Sequence, residues 1–381
     1  MVSARKILTN YRTWSPKMMK KSCACLITGL CTLPTLTFAD SPYFSLKDGD
    51  GFKRFSVSVG ALYVKPTGKA QPIQVNTAIA NGEQSKVGDV SIKTVKDSIS
   101  KDMDPNLSTA FINFLDSLGQ ETLPSALSGN ADIYGLHEWN NPGTGLEADD
   151  VMTLGIMTNY FFTDNVSFEV KAGIPPKVDI QGKGKIYAPL TATAHPSIEL
   201  PIIGGIGLPE IDLEKQIFIT DLEAHGTAAT ARAWTPAFEF QYHFGKTGVN
   251  KLRPYVGLGL MYAYFNELKI NPTIEQDLIN AGHKIVNIKE GKAGAALDHK
   301  ISSGDPKVKL DASDTFAPVA TAGFTYDFND RWFAVGSVSY AHLTGEATIT
   351  VNDSKHGELI RAKTDIEINP ILGYAGIGYR F

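Results

Sequence analysis

No stretch of about 18 apolar residues, the least that a helical span needs, occurs anywhere in the 381-residue chain. Membrane proteins built from spanning helices are therefore excluded. Cysteine is scarce: the three in the chain are Cys23, Cys25 and Cys31. All three fall in a segment that reads as an export signal. Met18-Met19-Lys20-Lys21 supplies a basic start, Cys23–Leu33 an apolar stretch, and Thr37-Phe38-Ala39 the small residues for cleavage after Ala39. Residues 1–39 are thus expected to be removed, leaving a chain with no disulfide framework and no thiol chemistry. Positive charge is also in short supply. The leader holds six of the 36 lysines and arginines and none of the 40 acidic residues, so the exported chain is markedly acidic. It has no electrostatic reason to bind nucleic acid. With 43% hydrophobic residues and 20% charged, it is too apolar for a disordered chain.

The exported part is rich in two-residue alternation, the period of a half-buried strand. Eight such stretches are expected: Phe55–Lys65, about 150–163, Val166–Pro175, about 233–244, Arg253–Phe265, Thr315–Phe328, about 332–343 and about 367–381. In the third, Val166, Phe168, Val170, Ala172 and Ile174 share one face, while Ser167, Glu169 and Lys171 share the other. Between the strands, long segments (66–149, 176–232, 266–314 and 344–366) alternate with short turns. This is the pattern of an outer-membrane barrel, with short periplasmic turns, long external loops and an even strand count that puts both termini on the periplasmic side. The predicted fold is all-β: an eight-stranded antiparallel transmembrane β-barrel over 55–381, preceded by a periplasmic segment at 40–54. Each even-numbered strand ends in Tyr-x-Phe, at Tyr160-Phe162, Tyr242-Phe244, Tyr326-Phe328 and Tyr379-Phe381. Aromatic pairs at matching strand ends read as an interfacial girdle. The loops carry two helical stretches. Asp104-Pro105 opens one, and Thr273 with Gln276 suggests a capping box for the other, with Gly282 near its end. The apolar stretch Ile202–Ile219 suggests no role.

Alternation also sorts the inward residues by height. The lower half holds Ser56, Ser58, Glu169, Lys171, Glu239, Gln241, His243, Asp327 and Arg380. Opposite charges among them can pair and plug a lumen that eight strands leave only wide enough for side chains. The upper half holds Leu62, Val64, Met261, Phe265, Val319 and Leu372, with Met157 near the middle. These residues are either ordinary core packing or an apolar pocket open to the outside. Pro175-Pro176 and Pro236 flank the seam between the third and fourth strands, where each proline withholds a ladder donor. They either terminate strands or mark a break in the wall. No catalytic, metal or cofactor signature appears. Gly245-Lys246-Thr247 lacks the upstream glycine of a phosphate loop, and the eight histidines are scattered. The chain reads as a non-enzyme.

Several short blocks, in the same order, resemble the OmpW/AlkL family of eight-stranded outer-membrane proteins. They are Phe55–Pro66, Tyr160–Pro175 with its Thr-Asp-Asn turn, Arg253–Leu260 (RPYVGLGL), Phe324–Tyr340 and Asn369–Phe381. The resemblance covers about a third of the exported chain and little of the loops, which are much longer than is usual in that family. It implies passive uptake of small hydrophobic molecules, held in the apolar upper lumen and released sideways into the membrane at Pro175, Pro176 and Pro236. Its implied surroundings are the outer membrane of a Gram-negative bacterium, with lipid and lipopolysaccharide against the wall. C-terminal Phe381 also resembles the signal read by the barrel-assembly machinery. The enlarged loops support an alternative function, a surface protein that adheres or interacts through them.

Overall fold

A computed structural model describes residues 52–200, 204–224 and 226–381. The predicted leader 1–39, residues 40–51 of the predicted periplasmic segment, and Ile202 and Ile203 of the apolar stretch lie outside them.

Eight strands form a closed meander. They are β1 (Phe55–Lys65), β2 (Val151–Phe161), β3 (Val166–Gly173), β4 (Ala237–His243), β5 (Leu252–Ile270), β6 (Thr315–Asp327), β7 (Trp332–Ala341) and β8 (Ile371–Arg380). Each pairs antiparallel with its sequence neighbours. The ring closes between first and last, from Ser56↔Arg380 to Lys65↔Ile371. The predicted eight-stranded antiparallel barrel is therefore the observed fold. In β1 the small polar Ser56 and Ser58 are buried inside, while Val59 and Tyr63 are exposed outside. Leu258 and Phe316 on the outer wall are each 70% exposed. A water-facing wall would forfeit roughly 25 cal/mol for every Å² of such surface, so this face belongs in lipid. The four Tyr-x-Phe pairs each stack edge to face, with centroids 5.1 to 5.9 Å apart.

The fourth and fifth wall strands depart most from their predicted extents, while the third ends at Gly173 rather than Pro175 and the eighth begins at Ile371 rather than about 367. The fourth was expected to run unbroken from about Ala233. Instead Thr227–Trp234 is a separate strand, and β4 begins at Ala237. Pro236, which has no N–H to donate, sits at the interruption. β5 continues past the predicted Phe265 to Ile270. Its lower part pairs with β4 and its upper part with Thr227–Trp234.

The long loops carry the expected short helices and, in addition, many strands. Thr227–Trp234 is followed across the sheet by Lys177–Lys183 and Gly145–Ala148. A five-stranded sheet orders Lys307–Ala312, Thr344–Asp353, Gly357–Glu367, Ile73–Thr77 and Glu138–Asn141. A four-stranded sheet orders Ile211–Asp221, Lys185–His195, Asn130–Tyr134 and Glu83–Lys86. These sheets interleave segments from different loops and share one apolar core, forming a cap.

Both predicted helices are present. Asp104 caps Pro105–Ser117, its carboxylate accepting from the Asn106 and Leu107 N–H groups. The second helix, Pro272–Lys289, is capped by Asn271, whose side chain accepts from the Thr273 N–H at 2.9 Å. The N-cap thus lies two residues upstream of the predicted Thr273, and with Ile274 at the third helical position the predicted Thr273–Gln276 box does not form. Pro272 suits the first helical position because its missing N–H would be unpaired there anyway. Gly282, predicted near the helix end, lies mid-helix. A Cβ there would come within 2.7 Å of Pro306. The helix buries Ile274, Leu278, Ala281 and Ile285 against the cap sheets.

Candidate functional site

The pleat of the ring decides what its interior contains, and the lower half is polar. Glu169 on β3 faces Glu239 on β4 in register. Lys171, one inward position higher, donates to Glu239 Oε1 at 2.7 Å and lies 3.4 Å from Glu169 Oε1. It also donates to Thr321 Oγ1 at 2.8 Å and Ser339 Oγ at 3.1 Å. Asn159 Nδ2 donates to the other Glu169 oxygen at 2.6 Å. One ammonium thus answers two buried carboxylates across the lumen. Below them His243 Nε2 lies 3.2 Å from Ser167 Oγ and 3.1 Å from Gln241 Oε1. At the bottom Arg380 pairs with Asp327 at 2.8 Å and lies over the Phe333 ring. The six predicted plug residues, Glu169, Lys171, Glu239, His243, Asp327 and Arg380, therefore stack as a floor.

Besides Asn159, Thr321 and Ser339, the floor residues that escaped the sequence reading include Arg253, Tyr255 and Tyr374. Arg253 is buried, ion-paired to Asp164 at 3.2 Å and donating to Thr247 Oγ1 at 2.7 Å. Tyr255 stacks on His243 with centroids 4.8 Å apart. The Tyr374 hydroxyl donates to Ser58 Oγ at 3.1 Å. Extending the alternation of β5 downward from Met261 would have found Arg253 and Tyr255. Glycines at the inward positions 257 and 259 interrupt that pattern. A Cβ on Gly259 would lie 1.9 Å from the Phe238 carbonyl oxygen, so the wall closes there only without a side chain.

Above the floor the lining turns apolar. Met261, Val319 and Leu372 are buried with Ala237, Ala263 and Ala317, and Leu62, Val64 and Phe265 pack against them. Met157 sits lower, with Tyr255, Phe333 and Tyr374. Six of the seven residues predicted to line a pocket thus form one cluster, and the seventh sits beneath it. A cavity of about 660 Å³ begins at Lys171 and Glu239, passes Leu62, Met157 and Leu372, and reaches Gly173, Pro175 and Thr235 in the wall.

At that wall position the ladder is interrupted. The β3–β4 pairing ends at Lys171↔Ala237. The next backbone bond across the seam runs from the Ala233 N–H to the Pro176 carbonyl at 3.1 Å. Between them, 172–175 and 234–236 make no ladder bond with each other. Pro175 and Pro176 edge one side of this gap and Pro236 the other. Ile174, 57% exposed, turns outward from it.

More apolar space continues into the cap. A cavity of about 1040 Å³ shares Val64, Met261 and Leu372 with the lumen and rises to Leu146, Leu310 and Ala347. Those last three also line a further cavity of about 860 Å³ reaching Trp139, Ala281 and Ile360. Trp139, Ala281 and Ile360 in turn line an outermost chamber of about 1120 Å³. Each cavity thus shares walls with the next, from the far end of the cap to the seam.

Comparison with known proteins gives this geometry a family. The model of the OmpW family matches residues 125–297 and 295–381. The chain belongs to the OmpW family. Outer membrane protein W of Vibrio cholerae serotype O1 is 28% identical over 242 residues, which are 63% of this chain and 79% of the relative. Similar solved structures include OprG of Pseudomonas aeruginosa, at 14% identity and TM-score 0.43, covering 86% of this chain and 95% of that one. AlkL in lipid bilayers is 15% identical with TM-score 0.36, covering 90% and 97%. As an OmpW-family barrel the chain resides in the outer membrane of a Gram-negative bacterium. The OmpW match begins at residue 125, so β1 lies outside it, yet β1 completes the ring.

Proposed function

We propose that this barrel takes up small hydrophobic molecules passively, holding them in the apolar upper lumen and releasing them sideways through the β3–β4 seam into the membrane. The observation that carries this reading is the coincidence of three features at one height: the charged floor, the cavity above it, and the interrupted ladder that the cavity reaches. A solute descending further would have to displace Lys171 from two carboxylates and then enter water. For an eight-carbon chain, the return to water alone costs about 6 kcal/mol at ~0.8 kcal/mol per methylene. Leaving between Pro175 and Pro236 avoids both costs. Leu62, Val64, Met157, Met261, Phe265, Val319 and Leu372 are the binding residues on this reading, and Pro175, Pro176 and Pro236 shape the opening. The linked cap cavities extend the same apolar lining outward. The cap then faces the cell exterior among lipopolysaccharide, both termini face the periplasm, and the barrel-assembly machinery inserts the chain. The domain plan is a leader to residue 39, a short periplasmic segment to 54, and the barrel with its external segments thereafter.

The test is to close the seam. Ala172→Cys and Thr235→Cys, joined by a short bifunctional thiol reagent, should lower hydrocarbon uptake to that of cells lacking the protein. Uptake of a sugar of similar size should not change, and the barrel should remain heat-modifiable. Undiminished hydrocarbon uptake in the cross-linked protein would overturn the lateral route.

A further inference from the structure

The outermost cap chamber is mostly apolar-walled, and two lysines line it in unusual places. Along Ile211–Asp221 the inward positions read Ile211, Leu213, Lys215, Ile217, with Asp212, Glu214 and Gln216 exposed on the other face. Lys215 therefore occupies a core position on its strand. On the Pro272–Lys289 helix, Lys284 falls between Ala281 and Ile288, both buried and both lining the same chamber. Neither lysine makes an ion pair with a carboxylate among the described residues, although Asp97 lies in the field of Lys215, Asp277 in that of Lys284, and Glu214 borders the chamber from the neighbouring strand position. Burial pushes the Lys284 ammonium below the ordinary lysine range, with Asp277 alone opposing. The nearby His299 is pushed down by burial and then by Lys284 and Lys215, with Asp298 opposing, so the three basic groups share one field. A half-buried cation that no carboxylate contacts directly is costly. Most lysines relieve that cost by pairing or by reaching water; these two flank a mostly apolar chamber.

We infer that this chamber binds a single-chain amphiphile with one acidic head, a long-chain carboxylate, with Lys215 and Lys284 holding the head and the apolar walls holding the chain. The site is separate from the barrel lumen and concerns binding in the cap, whether or not solutes leave by the seam. A hydrocarbon would fill the same space but bring no carboxylate into contact with either ammonium group. Acetate would answer them but bury nothing. Selectivity should therefore require head and chain together.

Lys284 is its own reporter. In the full-length protein reconstituted in lipid nanodiscs, acylation of Lys284 by an amine-reactive ester can be followed by peptide mass spectrometry, with exposed Lys309 as internal control. A C16 carboxylate should protect Lys284 at concentrations at least ten-fold lower than the C16 alcohol, and acetate should not protect. Lys215→Met, which leaves the reporter intact, should weaken carboxylate protection by about ten-fold or more and leave alcohol protection unchanged. Equal protection by acid and alcohol, parallel protection of Lys309, or full carboxylate protection in the Lys215→Met protein would each overturn the inference.

Discussion

Lys171 is the residue on which the floor depends, because Glu169 and Glu239 face each other across adjacent strands. Like charges directly opposite are destabilising even at a surface, and these are buried. Lys171→Met should lower barrel stability by about 3–5 kcal/mol, the usual cost of breaking a buried pair. Adding Glu239→Gln should recover part of that loss. Urea titration of the reconstituted barrel, read by the loss of heat-modifiable mobility, checks both. A Lys171→Met midpoint equal to that of the parent would show that the carboxylates need no cation. At this scale the sequence was readable wherever side chains mark a face. Lys171, Glu169 and Leu62 all lie where two-residue alternation places them. Arg253 and Tyr255 were not read because glycine marks neither face, and those at 257 and 259 follow directly after them. That same lack of side chains lets the β4 backbone approach at Gly259.

Among the elements, the even-numbered wall strands end alike, and their aromatic pairs repeat one geometry. The last pair does most: Phe381 lies 5.1 Å from Tyr379 and 5.6 Å from Phe55, and its N–H bonds the Phe55 carbonyl across the closing seam. Phe381→Ala removes both ring contacts where the first and last strands must meet. The amount of heat-modifiable, protease-resistant barrel in the outer membrane should fall several-fold, and a normal amount would sink the assembly role. These pairs were visible in the sequence because a strand end, a turn and a repeated motif are all local. The extension of β5 to Ile270 was not. Glu267 adopts φ 50° and the pairing register shifts between Thr230 and Arg232, so the strand carries an irregularity of the β-bulge kind that breaks alternation. Pro236 was noticed, but its consequence, that the stretch before it joins another strand partner, depends on β5 being long enough to serve both.

For the whole molecule, the cap is what sequence periodicity could not supply. Its five-stranded sheet places Ile73–Thr77 of the first long loop between Gly357–Glu367 of the last and Glu138–Asn141. Pairing over such separations is set by partners rather than by local pattern. One consequence concerns the alternative reading of the loops as independent binding appendages. Removing the first loop would take the edge strand Glu138–Asn141 and the adjoining Ile73–Thr77 out of one sheet and Asn130–Tyr134 out of another, so it would dismantle the cap rather than isolate a binding function. A narrower change separates cap from barrel. Ala347 is 7% exposed and lines both middle cavities, where the cap passes into the barrel mouth. Ala347→Phe would project a ring into that junction at an overpacking cost of about 1–3 kcal/mol, borne by the cap sheet, since none of the wall registers includes this residue. Hydrocarbon uptake should fall several-fold while barrel assembly stays normal, and Leu310→Ala in the same background should restore part of the uptake by reopening the space alongside. If the solute instead reaches the lumen without crossing the cap, uptake by the Ala347→Phe protein will equal that of the parent, and the linked cavities above the barrel mouth will have no part in the route.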